Sequence, residues 1–189
     1  MADKLATRDD LAALLQQDVV EATADLMLEA ATAAVQGIVG QRIVRATSTV
    51  SLDVSDDRWL WLPQRPVVSV ASVMMDDVEL DTTDWSLRGH RLYRQWGWWG
   101  LVGAPVEVTY THGYADGDQR LQLARAAVLS LAAAAYSNPA GVSREQIDDY
   151  AVAYETGSAG MQVPALLRQT LLREYGRPAG VIPVGQVLL

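Results

Sequence analysis

The chain of 189 residues has no cysteine and no phenylalanine, one lysine (Lys4), one asparagine (Asn138) and two histidines, His90 and His112. Without cysteine there is neither a disulfide framework nor a thiolate metal site. Basic residues number 15 against 23 acidic ones, a formal net charge of −8. Such a surface does not grip nucleic acid, because phosphate binding depends on clustered Lys and Arg. Long apolar runs are missing as well. The longest, Ala126 to Tyr136, is interrupted by Ser130 and falls short of the roughly 20 residues that a bilayer span needs, so no membrane association is expected. Met1 to Lys4 lacks a basic-then-apolar run, and no signal peptide is expected. There are no internal repeats and no low-complexity tract.

Reactive motifs are equally scarce. No glycine-rich phosphate loop, nucleophile elbow or paired metal histidines occur. His90 and His112, together with Asp76, Asp77, Asp116 and Asp118, contain the atoms for a metal site or an acid/base pair. Their spacing does not assemble one: His90 falls in a turn and His112 at a strand end. Asp116 to Asp118 resembles a calcium loop only superficially, since that loop's glycine and downstream acid are missing, and helix capping accounts for it better. No catalytic residue, metal ligand or cofactor is therefore expected. A hydrolase or metal enzyme built on His90 or His112 is the one reading left from the enzyme class.

Half of the residues are apolar, enough in a chain of this length to bury a substantial core. Thr7 and Asp10 have the spacing of a variant capping box for a short helix carrying Leu11, Leu14 and Leu15. Asp18 reads as the N-cap of a longer helix to about Val39, with Val20, Ala24, Met27, Ala31, Ala34 and Ile38 on one face and Gly40 ending it. From Gln41 to Asp53 the period becomes two, placing Ile43, Arg45, Thr47, Thr49 and Ser51 on one side.

The stretch from Leu62 to Tyr114 reads as an antiparallel sheet. Its ends are β-branched and aromatic, Asp76-Asp77 makes a tight turn, and a hairpin surrounds Arg88 to Arg91. Asp116 to Gln119 caps a helix from Arg120 to Ser137. Its stripe is Leu121, Ala124, Val128, Leu131 and Ala135, and its few charges predict burial nearly all round. The segment Ser143 to Glu155 alternates like a strand. Pro164 opens a last helix bearing Leu166, Leu167, Thr170 and Leu171, to about Tyr175. The fold class is α+β: a small helical bundle (helices about 8-39, 119-137 and 164-175) with an inserted antiparallel β-sheet (about 41-113), one domain over 1-176, and an extended C-terminal tail over 177-189.

Three features await a role. Trp96, Trp98 and Trp99 lie within a few residues of one another beside Gly97 and Gly100 and cannot all point inward, so at least one is expected at a subunit interface. Glu145, Asp148 and Asp149 form an acidic run, either a solvated face or the lining of a channel that repels DNA phosphates. The tail carries Val181, Ile182, Pro183, Val184, Val187, Leu188 and Leu189 with no charge after Arg177. Left extended in water it would invite aggregation. It either folds back on its own sheet or is ordered on a partner, by strand addition or by laying apolar side chains into pockets.

Several stretches together resemble the head-to-tail connector (adaptor, or head-completion) proteins of tailed bacteriophages. They are the helical opening Leu11 to Gly40, the run Leu62 to Val68 with Val70 and Val73, Trp85 to Tyr93, and Val106 to Tyr114. The alanine-rich helix that follows and the strand Tyr150 to Tyr154 complete the likeness, which spans roughly Thr7 to Tyr175. It implies a structural virion protein of the neck, made in the host cytoplasm and without catalysis. It further implies a ring homo-oligomer, commonly of 12 subunits, under the portal protein, with the C-terminal segment reaching the portal. DNA would pass through without specific binding, and a stopper or tail-completion protein would lie below. The neighbouring reading is that the chain is itself such a stopper or tail-completion protein.

Overall fold

A computed structural model describes residues 5–53, 57–99, 105–137, 144–147, 150–153, 163–176 and 186–187. In chain order the elements are α1 (Arg8–Leu15), α2 (Glu21–Val39), β1 (Ala46–Leu52), β2 (Trp59–Trp61), β3 (Val67–Met75), β4 (Val78–Glu79), β5 (Ser86–Arg88), β6 (Arg91–Tyr93) and β7 (Val106–His112). A short 3-10 turn, Gln119–Leu121, leads into α3 (Gln122–Ser137), followed by β8 (Arg144–Ile147), β9 (Tyr150–Ala153), α4 (Ala165–Tyr175) and β10 (Gln186–Val187). The α+β class is as expected. The chain divides into two compact units, one of Met1–Gly40 with Asp118–Gly176, the other of Gln41–Gly117 with Arg177–Leu189.

In the helical unit, the Thr7 hydroxyl accepts from the Asp10 N–H at 3.2 Å while the Asp10 carboxylate accepts from the Thr7 N–H at 2.9 Å. The capping box is therefore formed and starts α1. Arg8 reaches Glu21 and Asp25 of α2, and Arg125 of α3 reaches Asp10. The second helix departs from expectation at its start. Its N-cap is Val20, with no side-chain cap, and Asp18 stays outside the helix, exposed. The Val20 N–H instead donates to the Tyr136 hydroxyl at 2.8 Å, so a contact from α3 sets the boundary.

The buried face of α2 is Ala24, Leu28, Ala31, Thr32, Val35 and Val39. Ala24 and Ala31 lie on it as expected; Val20 is exposed, and Leu28, Val35 and Val39 turn inward in place of Met27, Ala34 and Ile38, which are half-buried. Gly40 ends the helix in the left-handed conformation, φ 70°.

All five expected stripe residues of α3 are buried, with Ala127 and Ala132 added. The helix is not sheathed all round, because Ala126, Ser130 and Ala134 are exposed: small residues substitute for charge on its wet face. On α4 the inward residues are Leu171 and Tyr175, and Leu166 is left outside. Pro164 is the N-cap and not the first helical residue. The Tyr175 hydroxyl donates to the Arg120 carbonyl and ties the end of α4 to the start of α3. β8 and β9 form a two-stranded antiparallel hairpin, where one strand was expected.

In the second unit the single expected sheet is two. A five-stranded sheet runs in the order β10-β1-β7-β3-β4, and a three-stranded one in the order β2-β6-β5. Pro63 and Pro66, which have no N–H to extend a ladder, separate β2 from β3. The corner they make is tied down by side-chain amides. Gln64 Oε1 accepts from the Arg42 N–H at 2.9 Å and Gln41 Oε1 from the Arg65 N–H at 3.0 Å. The Gln64 N–H donates to the Tyr110 hydroxyl at 3.0 Å.

The Asp76-Asp77 turn is as expected, with φ of 53° and 62°, the left-handed pair of a tight two-residue hairpin. Alternation along β1 buries Ser48, Val50 and Leu52 and turns Thr47 and Thr49 the other way, toward Thr111 and Thr109 of β7 at 3.1 and 2.8 Å. Ile43 precedes the strand and is buried, so it does not share their side. The core of this unit is Val50, Leu52, Leu60, Leu62, Val73, Leu92, Trp98, Val106, Val108 and Tyr110.

Candidate interaction surfaces

The tryptophan loop resolves into one anchor and two exposed rings. Trp98 is fully buried, its indole N–H donates to the Arg58 carbonyl at 3.2 Å, and the Arg94 guanidinium lies 6.0 Å from its ring centroid. Trp96 and Trp99 are 77% and 61% exposed. With Arg58, Gln95 and Gly97 they line an open groove. Gly97 has φ 78°, and a Cβ there would meet the Trp99 indole at 2.5 Å.

Sequence reasoning missed a second surface. Strand alternation sends Leu60, Leu87 and Leu92 of the three-stranded sheet inward and leaves Trp59, Trp61, Arg88, Arg91 and Tyr93 on its other face. Trp59 and Tyr93 face each other across β2 and β6 with ring centroids 4.9 Å apart. The Arg91 guanidinium lies 4.5 Å from the Trp59 ring and 4.6 Å from the Trp61 ring. That of Arg88 lies 4.4 Å from Tyr93 and 5.9 Å from Trp59. The available signal was the pair of aromatics at alternate positions 59 and 61, which lead into the sheet, and the two arginines of the Arg88–Arg91 turn, read only as part of a hairpin.

The histidines serve structure. His112 is buried and its Nε2 lies 2.9 Å from the Ser48 hydroxyl. His90 Nδ1 accepts from the Val67 N–H at 3.4 Å. Burial first, and then the nearby Arg65 charge, hold the His90 imidazole below its ordinary value, so it is neutral at pH 7. Among the described residues no three of His, Asp and Glu converge as a metal site, and no helix is long and apolar enough to cross a membrane. Asp118 caps the 3-10 turn through the Arg120 N–H at 2.9 Å, the capping role expected of it.

Of the tail, Gln186 and Val187 are described. They pair antiparallel with β1, Val187 opposite Thr49 and Gln186 opposite Val50, so at these two residues the chain folds back on its own sheet. Val181, Ile182, Pro183, Val184, Leu188 and Leu189 lie outside the described residues, as do Asp148 and Asp149. Glu145 is on β8 opposite Val152.

No protein-family model matches the sequence, and no curated protein matches it significantly. Solved structures do. A chain from the neck of an empty gene transfer agent particle, computed with sixfold symmetry, superposes with a TM-score of 0.65 at 17% identity, over 95% of this chain and 94% of that one. The two chains share one fold. A chain of the native gene transfer agent virion aligns at TM-score 0.61 and 19% identity, over 95% and 92% of the two chains. One from the native neck, computed with twelvefold symmetry, aligns at 0.58 and 19%, over 96% and 97%. The fold is thus shared with these particle chains along nearly the whole length of each.

Proposed function

We propose that this protein is a structural head-to-tail connector of a tailed phage or phage-like particle. Copies form a ring under the portal, joining capsid to tail and letting DNA pass, without catalysis. The observation that carries the reading is the end-to-end correspondence with neck chains of both empty and native particles, which accounts for helical unit, β unit and their order together. The sixfold and twelvefold symmetries of those necks favour a ring, and 12 is the number we propose here.

In this reading residues 1-176 act as one adaptor domain with a β insertion, and Glu145, Asp148 and Asp149 face the lumen, where their charge keeps DNA sliding. The residues from Val181 to Leu189 engage the portal. Gln186 and Val187 pair with β1 of their own chain, so portal engagement in this reading either releases that short strand or is made by the residues that flank it. Trp96 and Trp99 lie between subunits. The stopper or tail-completion protein is the partner below.

Deleting the gene should yield DNA-filled heads and free tails, with the wild-type protein located by electron microscopy between portal and tail. Normal tailed particles in the deletion strain, or purified particles lacking the protein, would refute the reading. Replacing both His90 and His112 should leave particle yield per folded molecule unchanged. A loss of assembly from well-folded double variants would revive an enzymatic role.

A further inference from the structure

Net charge conceals an uneven distribution. The chain carries −8 overall, yet the stretches 58–66 and 85–99 contain Arg58, Arg65, Arg88, Arg91 and Arg94 and not one Asp or Glu. Strands β2, β5 and β6 come from these stretches. On the outer face of their sheet Arg88 and Arg91 are direct cross-strand partners, an arrangement that costs stability because like charges repel across a ladder. Among the described residues neither has a carboxylate within ion-pair distance, whereas Arg8, Arg120 and Arg125 all do. The fold gains nothing from leaving this pair uncompensated, so the face is short of an anion.

The aromatic rings narrow down which kind. The two guanidiniums lie over Tyr93, Trp59 and Trp61. Stacking engages the face of a guanidinium, while its five N–H donors radiate in the plane and stay available to an oxyanion. The same contact covers the ring faces. It takes them from the two uses that an exposed aromatic otherwise has, as a seat for an unpaired base or as the buried anchor of a protein contact. What the face still offers is two preset cationic forks, the pattern that meets a phosphate backbone by charge and ignores sequence.

We propose that this platform binds the phosphates of duplex DNA, Arg88 and Arg91 each engaging one phosphate and no base being read. The inference rests on the neck reading above only for the DNA that reaches the face. It agrees with passage of DNA without specific binding, because two contacts per copy give a light hold that is the same for every sequence.

Fluorescence anisotropy of a labelled duplex of arbitrary sequence, titrated with the full-length protein, tests it. Affinity should fall roughly tenfold between about 50 and 200 mM salt, on the logarithmic slope of about −1.8 that two phosphate contacts give. Arg88→Ala with Arg91→Ala should bring that slope close to zero. Arg88→Lys with Arg91→Lys keeps the charge and should restore it. Arg168→Ala with Arg173→Ala removes the same charge from exposed sites on α4 and should leave the slope unchanged. Wild-type protein that does not bind duplex at about 50 mM salt, or a slope insensitive to the Arg88 and Arg91 pair, overturns the proposal. So does tighter binding of single-stranded DNA, which would mean that bases reach the rings. Binding of poly-glutamate in preference to duplex would make the platform a seat for an acidic protein segment, and overturns it as well. Particles that hold the protein in their necks, with DNA binding absent, overturn the platform and leave the neck reading; DNA binding by a protein missing from particles does the reverse.

Discussion

Gly113 follows β7 at a close approach between two backbone segments. Its φ is 85°, and a Cβ there would lie 2.5 Å from the Val44 carbonyl oxygen, 2.7 Å from its carbon and 2.9 Å from the Arg45 nitrogen. All three atoms are backbone. They cannot swing aside, because Arg45 N–H donates to the Tyr114 carbonyl at 2.8 Å and Tyr114 N–H to the Ile43 carbonyl at 2.9 Å. Gly113 N–H itself donates to the Pro66 carbonyl at 2.9 Å. Gly113→Ala should therefore incur two costs: about 1–2 kcal/mol for a left-handed non-glycine residue and about 1–3 kcal/mol for the overlap. The sum, about 3.5 kcal/mol at its centre, corresponds to a melting temperature lowered by roughly 7–14 °C in a chain of this size.

Gly117→Ala is the matched control. Its φ is 79° and nothing lies within 4 Å of the added carbon, so only the conformational cost applies. Urea unfolding followed by near-ultraviolet circular dichroism should place the two variants clearly apart, with Gly113→Ala the weaker. If they coincide within about 0.5 kcal/mol, the backbone contact is not felt and the reasoning from close approach is wrong.

Trp98→Ala should cost about 3–5 kcal/mol, as for a large aromatic removed from a core. Trp96→Ala, at an exposed ring, should move stability by less than about 0.5 kcal/mol; comparable losses in calorimetry would mean the loop was misread. Val20→Thr supplies the side-chain cap that α2 lacks and should stabilise by about 1 kcal/mol, seen as a higher urea midpoint at unchanged slope; no gain would refute the reading that the first turn of α2 is short of a cap. The folded pKa of His90 lies below its unfolded value of 6.5, so on acidification the unfolded chain takes up the proton first. Its contribution is intact above about pH 6.5 and is lost as pH falls below that, toward the depressed folded value. A plot of melting temperature against pH should accordingly be flatter for His90→Gln between pH 7.5 and 5, and an unchanged slope would refute this assignment.

Local signals carried far in this chain. The Thr7 box, the Gly40 stop, the Asp76-Asp77 turn and the α3 stripe depend on residues within a few positions of one another, and each is found where the pattern puts it. The misreadings arise where distant contacts decide. Tyr136, far along the chain, sets the first residue of α2. In so alanine-rich a helix, Met27, Ala34 and Ile38 match the period almost as well as Leu28, Val35 and Val39, and only packing chooses between them. Prolines 63 and 66 divided one apparent sheet into two. The arginine–aromatic platform escaped notice because it exists only once β2, β5 and β6 align; nothing in the separate stretches 59–61 and 86–93 shows that they share a face.

The unequal fates of the tryptophans also make the molecule its own optical gauge. Trp98, sealed from solvent, should emit at the blue end and ignore acrylamide, while Trp61, Trp96 and Trp99 glow redder and quench readily. Whatever settles over those outer indoles would darken them to the quencher one by one, so assembly can be followed by light alone, without any attached dye.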